Sequence, residues 1–188
     1  EEKDLAFLKQ CKNTYFCLSE VTYKNGRIYG NLCRNRFCTT CNSIRKATLI
    51  HQYYPILKNW PDPQFLTLTT KSVKAHELED LIIKQRKIFG RIIDKYKKRH
   101  RKGTGPKIVC LRAHESNFNP QQEWYNPHFH IITPDKETAC ILKKEWLNAW
   151  GDIQTKPWAQ KIVPVQDMEK HLIETIKYGT KVFTDPEA

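Results

Sequence analysis

The chain has 188 residues, enough for one ordinary domain with an appendage, and its 32 Lys+Arg against 20 Asp+Glu give a formal net charge of +12. That balance points to a polyanionic partner, nucleic acid first, while five Trp, eight Tyr and eight Phe exclude a disordered basic tail. No apolar run reaches bilayer length and the charged start Glu1-Glu2-Lys3-Asp4 lacks signal-peptide character, so a soluble, reducing compartment is expected, where clustered cysteines bind metal rather than pair.

The first sixty residues hold five of the seven cysteines: Cys11, Cys17, Cys33, Cys38 and Cys41. Residues 14–23 read as a strand, Lys24-Asn25-Gly26-Arg27 as an Asn-Gly hairpin turn, and 28–32 as the returning strand. Cys33-x4-Cys38-x2-Cys41 forms a knuckle, followed by a helix over 43–54. Four thiolates at such spacing suit a closed, tetrahedral Zn²⁺ site better than idle buried thiols. Cys11 fits the fourth position because both ends of the hairpin meet there, and Cys17, mid-strand, is the rival ligand. Arg34, Arg36, Arg45 and Lys46 make this module basic, as DNA contact would require.

Trp60-Pro61-Asp62-Pro63 reads as a linker, dividing a zinc-binding module with its connecting helix (1–60) from a second domain (61–188). A strand over 64–70 alternates apolar residues with Thr. From 75 to 100 apolar residues recur at three and four, giving an amphipathic helix that ends in the cationic run Lys97-Lys98-Arg99-His100-Arg101-Lys102. Such a run is either a solvated helix end or a phosphate-binding surface, and Lys98 and Arg99 are its DNA-contact candidates. A strand over 106–117, a polar turn, a strand through His128 and His130, a helix over 137–150 stopped by Gly151, a strand over 159–165 and a helix over 168–183 follow. The order β-α-β-β-α-β-α predicts an α+β fold, an antiparallel sheet with helices packed on it in the ferredoxin-like manner, preceded by the small zinc-binding hairpin and knuckle.

In a strand, side chains two apart share a face, so His128 and His130 present two imidazoles together while Phe129 turns into the packing. The hairpin sets Glu115 opposite them. Two imidazoles and a carboxylate leave positions for substrate oxygen and water, which suits Mn²⁺ or Mg²⁺ acting on a phosphate better than zinc. An ordinary edge-strand carboxylate is the alternative for Glu115. On the last helix Glu174, Tyr178 and Lys181 are spaced to share a face. Lys181 can favour the phenolate of Tyr178, and Glu174 can act as general base on water or a second hydroxyl. The competing reading is a surface Glu/Lys pair beside a half-buried Tyr.

His128-Phe129-His130 resembles the His-hydrophobic-His motif of the HUH endonucleases, residues 65–70 their first conserved strand, and Glu174-x3-Tyr178-x2-Lys181 their tyrosine motif. Within that superfamily the chain is most similar to the rolling-circle replication initiators (Rep proteins) of small bacterial plasmids. These share the Asn-Pro-His-Phe-His form, the Glu four residues before the Tyr, and a Cys-x4-Cys-x2-Cys segment followed by arginine, and the resemblance runs from Cys11 to Lys181. It implies metal-dependent nicking and joining of origin DNA, with the metal held by Glu115, His128 and His130. Tyr178 forms a 5′-phosphotyrosine and leaves a 3′-hydroxyl as primer, and Glu174 is the base that lets water end the reaction. The implied partners are single-stranded or cruciform origin DNA, host helicase and polymerase and a second copy of the chain, with no membrane and a bacterial cytoplasmic location. A transposase or relaxase sharing the motif, and a non-catalytic zinc-containing DNA-binding regulator, are the alternatives.

Overall fold

A computed structural model describes residues 2–35 and 37–180, less the side chains of residues 2, 3, 28 and 177–180. The chain divides into two units, the first running to Gln52 and the second spanning Tyr53–Tyr178.

In the first unit the expected strand over 14–23 is cut short. Residues 2–15 hold three Lys and two Leu with no Gly or Pro, and they form helix α1 (Glu2–Tyr15). Extended chain begins only at Val21, in β1 (Val21–Lys24), which pairs with β2 (Arg27–Gly30). Asn25 and Gly26 both have positive φ (51° and 74°), the backbone that a two-residue hairpin turn requires. Helix α2 (Thr39–Leu57) starts inside the knuckle, so Cys41 sits in its first turn, earlier than the expected start at 43.

The second unit follows the predicted element order. Strand β3 (Gln64–Thr69) leads to α3 (Ala75–Arg101), the hairpin β4 (Leu111–Asn119) and β5 (Trp124–Thr133), helix α4 (Lys136–Gln154), strand β6 (Lys161–Pro164) and α5 (Met168–Thr180). The sheet order is β4-β5-β3-β6 with every neighbouring pair antiparallel, which is the α+β, ferredoxin-like arrangement. The expected strand over 106–117 begins only at Leu111, where pairing with Ile132 starts. The part of the last predicted helix beyond Thr180 lies outside the described residues. Gly151, with φ 69°, kinks α4 at the predicted stop, and Asp135 caps its start by accepting a bond from the Thr138 N–H at 2.6 Å.

Alternation gives the sheet two different faces. Leu66, Leu68, Phe129 and Ile131 point to α3 and α4, where they pack with Leu81, Ile88, Phe89, Ile92, Leu142 and Trp146. The intervening residues Thr67, Thr69, His128 and His130, with Glu115 on β4, occupy the opposite face. Helix α5 covers part of that second face: Leu172 and Ile176 are buried, and the His171 ring meets Phe65 at 5.1 Å. Among the described residues no helix is long and apolar enough to cross a membrane.

Candidate functional site

Register creates the site. Glu115 pairs directly with His128, and His130 stands two residues on, so three side chains on one face converge. His128 Nε2 lies 3.0 Å from Glu115 Oε1 and 3.2 Å from His130 Nε2, and the third side of the triangle, His130 Nε2 to Glu115 Oε1, is 3.2 Å. His128 Nδ1 is 2.8 Å from the Asn126 carbonyl, an acceptor only, so the ring donates there and in its neutral form Nε2 carries a lone pair. That lone pair faces a carboxylate oxygen and a second imidazole nitrogen, an arrangement that needs a proton or a cation at its centre. Burial, the largest influence, would lower the pKa of His128, but its bonds to Glu115 and Asn126 outweigh this and raise it. For Glu115 burial likewise opposes the outcome: it would raise the pKa, and the two histidines bring it below the ordinary value. The other carboxylate oxygen, Glu115 Oε2, is buried without a hydrogen-bond partner.

Residues around this triangle hold it in place. Phe65 stacks on His130 at 5.0 Å, and Thr67 Oγ1 is 3.4 Å from its Nδ1. From the core side, Gln85 of α3 is fully buried, and its amide donates to Thr70 Oγ1 (2.8 Å) and to the Pro127 carbonyl (2.9 Å), immediately before His128. Its oxygen lies 2.6 Å from Nε2 of His114, whose Nδ1 accepts from Arg86. Burial, then Arg86 and Arg112, push the His114 pKa down to about 4, so the ring is neutral and its Nε2–H donates to Gln85. Gln85→Leu would leave these buried groups without partners, and a loss on the order of 3 kcal/mol is expected. The urea midpoint measures it; an unchanged midpoint would show that the network contributes nothing to stability.

In the first unit Cys17, Cys33, Cys38 and Cys41 place their sulfurs within 4.8 Å of one another. Cys41 Sγ lies 3.5 Å from Cys17 Sγ and 3.6 Å from Cys33 Sγ. The backbone N–H groups of Arg34 and Asn35 donate to Cys41 and Cys33, at 3.3 and 3.5 Å, and Arg34 adopts positive φ to make the knuckle. Burial pushes the Cys41 thiol up to about 12, whereas Cys33, despite burial, is drawn down to about 7 by the Asn35 N–H and the neighbouring thiols. Cys11 is a correction: it is exposed on α1 and outside the cluster. Because the helix runs through Tyr15, the residue that the hairpin brings to Cys33 is Cys17, with Leu18 N–H bonded to the Asn31 carbonyl at 3.1 Å.

The other predicted residues are placed less completely. Glu174 is half-buried on α5, and the backbone of Tyr178 lies one turn further along that helix, but its side chain, Lys181 and Arg36 lie outside the described residues. Arg45 is engaged within its own unit, with Asn42 Oδ1 and the Arg34 carbonyl. Arg99 bonds to the Thr104 carbonyl and sits 5.3 Å from the Tyr96 ring, while Lys98 is exposed in the last turn of α3. Sequence reasoning missed Asn126, Thr67 and Gln85. The first two had a signal in the strand alternation, whereas Gln85 is one polar residue within an apolar helical stripe.

Comparison with known proteins places this geometry in a family. The family model described as "Replication protein" matches residues 27–184. The chain is 30% identical to the protein rep of Staphylococcus aureus, covering 96% of this chain and 83% of that protein. It is 28% identical to the protein rep of Streptococcus pneumoniae serotype 2 over 79% of this chain, and 25% identical to a protein rep from a Bacillus species over 77%. The chain spans about half the length of these last two, 51% and 50%. No solved structure matches it significantly. The family match takes in both the Glu115–His128–His130 triangle and the cysteine knuckle and extends over most of the chain, which belongs to the replication-protein family.

Proposed function

We propose that the chain initiates rolling-circle replication by nicking and rejoining single-stranded origin DNA through Tyr178. The observation that carries this reading is the Glu115–His128–His130 triangle, with its orphaned carboxylate oxygen, on the sheet face that α5 partly covers. Three donors at right angles around an ion about 2.1 Å away would stand about 3.0 Å apart, and the observed sides are 3.0–3.2 Å. The mixed nitrogen and oxygen set fits Mn²⁺ or Mg²⁺, which when bound supplies Lewis-acid polarisation of the scissile phosphate.

The chain's own residues account for the rest. His128 is oriented by the Asn126 carbonyl and His130 by Phe65, so neither ring has to reorganise around substrate. The Tyr178 hydroxyl attacks phosphorus in line and loses its proton. The bond from phosphorus to the 3′ oxygen breaks, giving a 5′-phosphotyrosine and a 3′-hydroxyl. Lys181, three residues on, favours the phenolate. Glu174, one turn before Tyr178, takes the proton of the water or hydroxyl that later attacks the phosphotyrosine. The phosphodiester energy is retained in the covalent link, so rejoining needs no nucleotide cofactor. Incubating the chain with Mn²⁺ and an origin-bearing single strand should give a covalent adduct that survives denaturing electrophoresis; no adduct would overturn the reading.

The cysteine cluster fits Zn²⁺ in a structural role. A tetrahedral ion with bonds of about 2.3 Å sets its sulfurs about 3.8 Å apart, close to the 3.5 and 3.6 Å observed. Cys17→Ser should weaken zinc retention at least about 100-fold, while Cys11→Ser should keep one full equivalent. Metal content after dialysis against a chelator measures both, and the reverse pattern would return Cys11 to the ligand set.

A further inference from the structure

An open surface cavity of about 560 Å³ lies between the β3–α3 connection and the β4–β5 hairpin, lined by the exposed Lys71 and Gln122 and the half-buried Ser72 and Trp124. It is firmly built. Val73 and Tyr125 exchange two backbone hydrogen bonds, at 2.9 and 2.8 Å, and the Lys71 N–H donates to the Gln154 carbonyl at 2.8 Å. Lys74 Nζ donates to the Gln122 carbonyl at 2.7 Å and stands 5.5 Å from the centre of the Trp124 ring. Asn119 Oδ1 accepts from the N–H groups of Gln121 and Gln122, and Glu123, just before Trp124, is held at φ 53°. A non-glycine residue kept in that region marks a turn whose shape matters. None of these groups takes part in the metal triangle or the cysteine cluster.

The position of the cavity names its ligand. Residues 124, 126 and 128 alternate to the same side of β5, so Trp124 lies on the sheet face of His128, four residues or about 13 Å away along the strand. Between them, Thr69 Oγ1 bonds to Asn126 Oδ1 at 2.7 Å on the same face. A strand whose scissile phosphate sits at the triangle reaches this cavity within a few nucleotides. There it meets an indole for stacking, an amide with both a donor and an acceptor, and a lysine, on a chain of net charge +12.

We propose that the Lys71–Gln122–Trp124 cavity is a subsite for one unpaired nucleobase of the strand held at the metal triangle: Trp124 stacks on the base, Gln122 contacts its edge and Lys71 holds the adjoining phosphate. This deepens the nicking reading and rests on it.

The test uses the full chain with Mn²⁺ and fluorescein-labelled single strands of about twelve nucleotides: oligo-dA, oligo-dC, oligo-dT and an abasic strand of equal charge. The unaltered chain should bind at least one base-bearing strand about tenfold or more tighter than the abasic one. Trp124→Ala should weaken base-bearing strands about 5- to 100-fold and leave the abasic strand as it was, with Trp124→Phe restoring most of the loss. Lys71→Ala should weaken all four strands alike. Equal affinity of the unaltered chain for base-bearing and abasic strands would overturn the subsite, as would Trp124→Ala weakening both to the same degree. Adduct formation by the unaltered chain on an origin-bearing strand, scored in parallel, separates the two ideas: an adduct without base discrimination overturns the subsite alone, and no adduct overturns the nicking reading itself.

Discussion

Tyr178→Phe should abolish the covalent protein–DNA adduct, lowering its rate of formation by at least about 10³-fold, because removing a nucleophile leaves only binding and electrostatic assistance. Only the hydroxyl is lost, so the variant should bind origin DNA as the unaltered chain does. Denaturing electrophoresis of a labelled strand reads the first quantity and equilibrium binding the second. The position is demanding because the helix carries Tyr178 one turn beyond Glu174 on the same stripe. An adduct that persists in Tyr178→Phe would assign the attack to another residue and remove the mechanism proposed above.

The second large effect concerns the metal. At free Mn²⁺ a hundredfold above its dissociation constant, binding to the folded state alone adds about 2.7 kcal/mol of stability. For a chain of this size that is a rise in Tm of about 5–10 °C. His128→Ala removes one of the three ligands of the triangle, 3.0 Å from Glu115 and 3.2 Å from His130, and should abolish both that rise and nicking. The rise in the unaltered chain should shrink on acidification, because metal binding requires the imidazoles without their protons and releases them. A thermal melt with and without Mn²⁺ at two pH values measures all of this. A His128→Ala variant that retained the full metal-dependent rise would place the ion elsewhere.

Much of the site was legible in the sequence because its geometry is local. His128 and His130 need only the two-residue period of a strand, and Glu115 needs only the hairpin that follows from the short polar turn between two strands. The order of elements after the linker could be read because β3 and α3 each carry a clear period, set by the core they share. The first unit offered no such guide. Its large apolar side chains Leu5, Leu8, Tyr15, Tyr23 and Tyr29 are exposed, so hydrophobic spacing reports no buried face. The aromatic run around Tyr15 and Phe16 imitated a strand, and from that error Cys11 displaced Cys17 as the fourth sulfur. Gln85 was illegible for a different reason: its partners come from three other segments, around Thr70, His114 and Pro127, and no local pattern joins them.

The alternation of β5 also bears on how faithfully the protein refolds. Sliding this strand by one residue would turn Phe129 out of the core, and both imidazoles would be pressed against Phe89 and Trp146, which now pack on Phe129 at 5.0 and 5.7 Å. Such a misaligned molecule would lose its core and its Glu115–His128–His130 triangle together, so one slip in register spoils the packing and the candidate site at once.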